Sequence, residues 1–461
     1  MRIVIVGDGK VGYALTESLS ADNDVVVIDS SKAVLEEVEG EFDVQVLHGD
    51  GVSREVQVAA EVGSSDLLIA ATSADEVNLL CCMIARKLGC PHNIARVRNP
   101  VYVADYMFLK DELGLSMMVN PDYSCSEEIF RLLQFPSFLR RDPFAESRVE
   151  IVEIELRTGS PLIGKYLTEV SSVASVKVLV CAVSREGEVY IPDGSFQLME
   201  NDRISVTART PDLARLVRNL NLGTKRIRDV LVIGAGSRIG RYLTRQLLSS
   251  GISCKLIDRS SDKCQQLAEE FPKAVVILGD GSNRRVLDSE GLGRVDAVVT
   301  LTDVDEENLI VSMYAEHVGV PKVITKINRS EYREIFGERG IGLTVCPKDL
   351  CTSEIVRYVR AMRNRTGGEM LTLHRIVSGR LEALEFRASS DTMHVGETLA
   401  EMRLKPNILI ACIARQREVI IPQGNDVIQA GDRVIVVTYD GRDINTLNDI
   451  FEDYEKPEPA A

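Results

Sequence analysis

At 461 residues, 45% hydrophobic and 27% charged, the chain is too long for one core and reads as several soluble globular domains. Its net charge of −15 argues against binding to nucleic acid or to anionic lipid head groups, both of which reward clustered Lys and Arg. No apolar run has bilayer-spanning length, the N-terminus enters a strand at Arg2 without a secretory pattern, and ten cysteines form no CxxC pair. A cytoplasmic chain with reduced, structural thiols and no direct lipid anchor is therefore expected.

The first element is the apolar run Ile3-Val4-Ile5-Val6, closed by Gly7-Asp8-Gly9-Lys10-Val11-Gly12, which opens a helical pattern through Ala14, Leu15, Ser18 and Leu19. Strand, glycine turn and helix in that order form a dinucleotide fingerprint. Gly7 permits the tight turn, Gly9 lets backbone N–H groups approach a pyrophosphate, and Gly12 lets the helix pack on its strand. Asp29 closes the run Val25-Val26-Val27-Ile28, at the spacing of a carboxylate that binds a ribose hydroxyl and repels a 2′-phosphate, which favours NAD over NADP. Ser30 reads as the cap of a helix reaching about residue 40. A third strand over 44–47 runs into the turn His48-Gly49-Asp50-Gly51, and a fourth ends at Thr72 and Ser73, followed by a helix over 75–88. Strands at 93–98, carrying Arg96 and Arg98, and at 117–120 precede a long helix over 122–135 that stops near Pro136.

This alternation implies an α/β fold with a doubly wound parallel sheet, whose ligand crevice lies at the carboxyl ends of the strands, where Gly7, Asp29, Asp50, Thr72 and Arg96 fall. Asp50 stands in a Gly-Asp-Gly turn, where aspartate also serves turn geometry alone. Of Arg96 and Arg98, one is expected to reach a phosphate while the other is solvated or paired with an acid; Arg96 is favoured for the phosphate, since its counterpart Lys326 stays cationic.

From residue 147 the pattern changes to short β-rich segments at 150–156, 176–183, 188–191 and 203–208, a smaller α+β module. After Lys225-Arg226-Ile227-Arg228 the whole order returns. Gly234, Ala235, Gly236, Ser237, Arg238, Ile239 and Gly240 repeat the glycine loop, with Asp258 behind it. Gly7 to Gly234, Asp29 to Asp258 and Asp50 to Asp280 are separated by 227, 229 and 230 residues. Thr302 and Asp303 fall where Thr72 and Ser73 stand, and Lys326 and Asn328 replace Arg96 and Arg98. Four domains are expected: Rossmann modules at 1–135 and 225–363, and small modules at 136–219 and 370–451.

His48, His92, His317, His374 and His394 show no metal-ligand spacing and no pairing with a nucleophile and an orienting acid. The small modules offer no acid or base to place beside a nicotinamide, so the Rossmann modules read as sensors and not as an enzyme. A duplicated NAD-dependent oxidoreductase is the alternative, and duplication itself favours the ring-forming sensor.

The tandem order, with GDGKVG and Asp29, the HGDG turn, TSADEVN, ARVR, the Pro121 segment and the IPDG and NDR patterns all recurring, resembles the TrkA family. These are peripheral cytoplasmic subunits of Trk-type potassium uptake systems, built from two RCK units that each join a Rossmann module to a small C-terminal module. The resemblance implies that Gly7 to Gly12, Asp29, Thr72, Ser73 and Arg96 line one nucleotide site, and Gly234 to Gly240, Asp258, Thr302, Asp303 and Lys326 a second. It implies NAD(H), with ATP or ADP, as ligands. It also implies an integral membrane potassium transporter subunit of Trk type as partner, and a homo-oligomer, dimer or tetramer, forming a ring of Rossmann modules on the cytoplasmic face of the membrane. An RCK regulator of another cation channel or exchanger stays open. In the family, the helices that follow the sixth strand are arms packing against neighbouring modules; here they correspond to 122–135, with Ile129, Leu132 and Leu133 apolar, and to 348–362.

Overall fold

The computed structural model describes residues 1–134, 138–145, 148–220, 227–329, 332, 343–365, 370–377, 380–439, 444 and 446–452. Strands β1 (Arg2–Val6), β2 (Asp24–Asp29), β3 (Gln45–His48), β4 (Leu67–Ala70), β5 (His92–Arg96) and β6 (Met117–Val119) form one sheet in the order β3-β2-β1-β4-β5-β6. Every pair in it is parallel. A strand covered by helices on both faces has no side to give to water, which is why Ile3, Val4 and Ile5 are apolar without alternation and fully buried. Between β1 and its two neighbours the winding reverses direction, which opens a crevice above the carboxyl ends of the strands. Phe135 and Pro136, the expected end of the long helix, lie outside the described residues.

Next come β7 (Arg140–Phe144), β8 (Val149–Glu155), β9 (Leu179–Arg185), β10 (Glu188–Tyr190) and β11 (Arg203–Arg209), an antiparallel sheet ordered β10-β9-β11-β8-β7. The sequence reading missed β7; it is an edge strand carrying Pro143, which an edge tolerates. The parallel sheet then recurs as β12 (Asp229–Ile233), β13 (Ser253–Asp258), β14 (Val275–Leu278), β15 (Ala297–Thr300), β16 (Lys322–Lys326) and β17 (Leu343–Val345), ordered β14-β13-β12-β15-β16-β17. The antiparallel sheet recurs as β18 (Met370–Ile376), β19 (Leu381–Arg387), β20 (Ile408–Arg415), β21 (Glu418–Ile420) and β22 (Arg433–Thr438), ordered β18-β19-β22-β20-β21.

Like modules pair with like across the repeat. The chain forms two compact units, residues 1–133 with 227–356 and residues 134–226 with 357–461. In the first unit, Cys125, Ile129, Leu132 and Leu133 of the arm helix Pro121–Gln134 share one buried cluster with Val230, Val232, Ile239, Leu243 and Leu256 of the second Rossmann module. At the rim of that contact Asn120 Nδ2 donates to the Tyr242 hydroxyl at 3.4 Å, and Tyr123 meets the Tyr242 ring edge-on with centroids 5.5 Å apart. The second arm helix, Pro347–Arg365, meets the first where Ser124 Oγ donates to Glu354 Oε2 at 3.2 Å. Those two residues are 230 apart, the repeat interval, so an approximate two-fold axis passes between them.

In the second unit, Phe144, Ile151 and Cys181 of one small module share a cluster with Ile376, Leu381 and Cys412 of the other. All ten cysteines are buried, and no disulfide forms among the described residues. Burial pushes Cys254 up to about 12, so these thiols are inert packing groups. Among the described residues, no helix is long and apolar enough to cross a membrane.

Candidate functional site

The first glycine loop is shaped by two contacts and one opening. Gly7 turns with φ +86°, and a Cβ there would lie 2.7 Å from Thr72 Cγ2. At Gly12 a Cβ would stand 2.1 Å from the Gly7 carbonyl oxygen, so only glycine lets the helix Lys10–Leu19 start hard against the turn. Gly9 differs: a Cβ there would meet nothing within 4 Å. Packing does not require glycine at 9, so its bare backbone suits the close approach of a ligand phosphate. Lys10 and Ser73 are exposed and Val11 is buried.

Asp29, at the end of β2, accepts from the Asp8 N–H at 2.8 Å through Oδ2 and from the Ser31 N–H at 2.8 Å through Oδ1. It ties the glycine loop to the next turn while staying half-buried at the crevice. Ser31 and not Ser30 occupies the cap position of the helix Lys32–Glu41. The second copy repeats the arrangement: Asp258 Oδ2 accepts from Gly236 N–H at 2.9 Å and Oδ1 from Ser260 N–H at 3.0 Å. Asp8 has no such counterpart, since Ala235 takes its place. Its carboxyl is buried, Oδ1 accepts from the Thr16 hydroxyl at 2.8 Å, and Oδ2 has no hydrogen-bond partner among the described residues. Burial pushes it up to about 6 against the pull of Thr16, with the charges of Asp29 and Glu37 adding to the rise.

Opposite the loop, Asn78 braces the ends of β4 and β5. Its Oδ1 accepts from Thr72 N–H at 2.9 Å and from the Thr72 hydroxyl at 2.7 Å, and its Nδ2 donates to the carbonyls of Thr72 at 3.1 Å and Arg96 at 2.8 Å. Asn308 does the same for Thr302 and Lys326. Arg96 Nη1 donates to the Thr72 carbonyl at 2.9 Å, its buried Nε has no hydrogen-bond partner among the described residues, and burial lowers the pKa of this guanidinium. Lys326 Nζ donates to the Thr302 carbonyl at 3.1 Å and lies 3.6 Å from Asp303. Arg98 turns instead to Asp122, with Nε and Nη2 at 2.8 and 3.3 Å, so it is committed to an ion pair rather than to the crevice. Asp50 and Asp280 act as turn formers, Oδ1 accepting from Val52 N–H at 3.1 Å and from Ser282 N–H at 2.9 Å; in Asp280 the Ser282 bonds lower the carboxyl.

The second Rossmann module holds a cleft of about 310 Å³ at the ends of its strands, whose lining does not include Lys326. Gly234, Ser237, Asp258, Asp280, Thr302 and Asp303 all line it. Ala235 and Ile239 are buried in packing, a Cβ at Gly240 would strike the Ala235 carbonyl oxygen at 2.3 Å, and Arg238 points to Asp122 at 3.8 Å. At Gly236 a Cβ would meet Lys263 Cδ at 2.6 Å and Asp258 Oδ2 at 2.7 Å. Two lining cations, Arg259 and Lys263, escaped the sequence reading. Their signal was the departure from the first copy, which has Ser30 and Val34 at the matching offset of 229. Two cations, a ribose-type carboxylate and glycine backbone together fit a phosphorylated nucleoside.

A family model for the TrkA-N domain matches residues 3–121 and 230–347, and one for the TrkA-C domain matches 151–221 and 383–451. A TrkA homologue of the Trk potassium uptake system from Methanosarcina mazei is 31% identical over 444 residues, which span 95% of this chain and 97% of that protein. The TrkA protein of Vibrio alginolyticus is 27% identical, over 98% and 99% of the two chains. Among solved structures, the RCK domain of GsuK aligns with a TM-score of 0.62 at 19% identity, over 95% of this chain and 92% of that one. The GsuK channel bound to NAD aligns with 0.61 at 19%, over 95% and 76%. These structural likenesses bear on the fold, which is that of tandem RCK units. With both domain types present twice in alternating order, over nearly the whole length of its relatives, the chain belongs to the TrkA family.

Proposed function

We propose that this chain is the nucleotide-sensing regulatory subunit of a Trk-type potassium uptake system, binding NAD(H), and ATP or ADP, in the crevices of its two Rossmann modules. The observation that carries this reading is the cleft of about 310 Å³ in which Gly234, Asp258, Lys263 and Thr302 converge at the strand ends. Asp29 and Asp258 would hold a ribose diol, the backbone at Gly9 and Gly236 the phosphates, and Arg96 or Lys326 the charge that extra phosphates add. The cation pair Arg259 and Lys263 makes the second crevice the more welcoming to phosphate. Nucleotide occupancy then shifts a homo-oligomeric ring between shapes, and an integral membrane transporter subunit on the cytoplasmic face conducts or closes accordingly. A nucleotide does this only through its differential affinity for the two shapes. The relatives from Methanosarcina mazei and Vibrio alginolyticus are potassium uptake proteins, which supports transport regulation over catalysis.

Calorimetric titration with NADH tests the sites. Asp29→Ala and Asp258→Ala should each remove one class of binding, while NADH absorbance stays constant with candidate carbonyl substrates. Unchanged stoichiometry in both variants would refute the site assignment. Potassium flux through the reconstituted membrane partner, with and without this chain and in NADH and then ATP, tests the regulation; identical flux in all four states would defeat it.

A further inference from the structure

The second compact unit holds a cleft of about 310 Å³ lined by Arg148, Arg387, Arg417 and Arg433 together with Gln416 and Gly431. Four guanidinium groups converging in a chain of net charge −15 is the reverse of what its average composition would place there. Arg433 lies 3.4 Å from the buried Glu385 carboxylate. Arg148 Nε donates to the Ala145 carbonyl at 2.8 Å and Nη1 to that of Gln416, both neutral acceptors. Arg387 and Arg417 are exposed, and no carboxylate among the described residues lies within ion-pair distance of either.

Comparison with the first small module isolates what is special. Across β8 and β11, Arg203 faces Glu155, an opposite-charge cross-strand pair that stabilises a sheet. At the same place in β19 and β22, Arg433 faces Arg387, and like charges directly opposite destabilise. In the hairpin turns, Glu186 (φ +52°) and Gly187 of the first module become Gln416 (φ +48°) and Arg417 in the second. Arg380 donates to the Gly187 carbonyl and Arg148 to that of Gln416, so each hairpin turn receives an arginine from the other module. The first position therefore balances two arginines with two glutamates, while the second carries four arginines with neither acid. The backbone frame is shared and the charge is not.

We propose that this arginine cleft is a binding site for a small soluble polyphosphate anion, separate from the glycine-loop crevices, with inorganic pyrophosphate as the simplest member of the class. Guanidinium forks match phosphate oxygens in bidentate pairs, and an anion between Arg387 and Arg433 turns their repulsion into shared attraction. The volume holds an anion of two or more phosphates. Occupancy would bridge the two small modules, because Arg148 comes from one and the other three arginines from the other.

The test is calorimetric titration of the full-length chain with inorganic pyrophosphate after NADH saturation, which fills the glycine-loop crevices. One pyrophosphate per chain is expected. Arg387→Glu and Arg417→Gly, both at exposed positions, should each weaken it at least about tenfold, the loss of one charge-assisted contact, with NADH affinity unchanged. Repeating the titration in the Asp29→Ala, Asp258→Ala chain without NADH should give the same single site, so failure of the crevice assignment would not hide this one. Absence of pyrophosphate binding, equal affinity in both arginine variants, or binding only to phosphatidylglycerol vesicles would overturn the proposal.

Discussion

Asp8 shows how one residue departs from its loop. Its glycine neighbours were legible because backbone freedom is a property of residue type. Its burial was not, because the Thr16 hydroxyl that meets it comes from the far side of the first helical turn. Against an ordinary value of 3.8, the native carboxyl is held at about 6, so the folded state binds this proton more tightly than the unfolded state. Its contribution to stability is full below pH 3.8 and is lost as the pH rises through 6. Asp8→Asn keeps an acceptor for Thr16 and removes the charge. It should raise the unfolding free energy at about pH 8 by roughly 1–3 kcal/mol and leave it little changed at about pH 4. Urea denaturation of both chains at the two pH values measures this, and parallel losses would clear Asp8 of the effect. Asp29 and Asp258 were legible because strand period and the glycine spacing place them at strand ends.

At the scale of elements, Asn78 and Asn308 join a helix to two strand ends. The sequence reading saw both as the last letter of a repeated motif and gave them no role. That role exists only because the first turn of the helix Asp75–Leu88 folds back over β4 and β5. Asn78 is fully buried and satisfies the Thr72 N–H and hydroxyl and the carbonyls of Thr72 and Arg96. Asn78→Ala should therefore cost about 2–4 kcal/mol through stranded buried groups, seen as a lower urea midpoint with unchanged slope. A cost near zero would mean that water replaces the amide. Gly12→Ala should act on binding more than on stability. A Cβ only 2.1 Å from the Gly7 carbonyl must move the turn, and NADH titration of the first crevice reports it.

For the whole molecule, the pairing of like modules decides how mutations propagate. Ile129 belongs to the first repeat but is buried in the cluster of the second Rossmann module. Ile129→Ala should cost about 2–5 kcal/mol. Amide exchange should then quicken in β12 and β13, which lie far along the chain. Faster exchange confined to β1 through β6 would show that the arm serves only its parent sheet. The buried Arg141–Glu150 pair, at 2.7 Å in the second unit, carries a parallel lesson. Removing one partner strands a charge, so Arg141→Met should destabilise more than the Arg141→Met, Glu150→Leu double change.

By itself the sequence determined the tandem repeat, the four sheets' α/β and α+β classes and the two glycine loops, because apolar runs, alternation and glycine placement are local features of the chain. Tertiary structure decided that Rossmann modules pair with each other and small modules with each other, that Arg98 is spent on Asp122, and that Arg259 and Lys263 face the second crevice. It also decided that four arginines meet in one cleft. Those outcomes depend on burial and on contacts between residues as far apart as Ser124 and Glu354 or Arg148 and Gln416, and neither is encoded by the spacing of any one stretch.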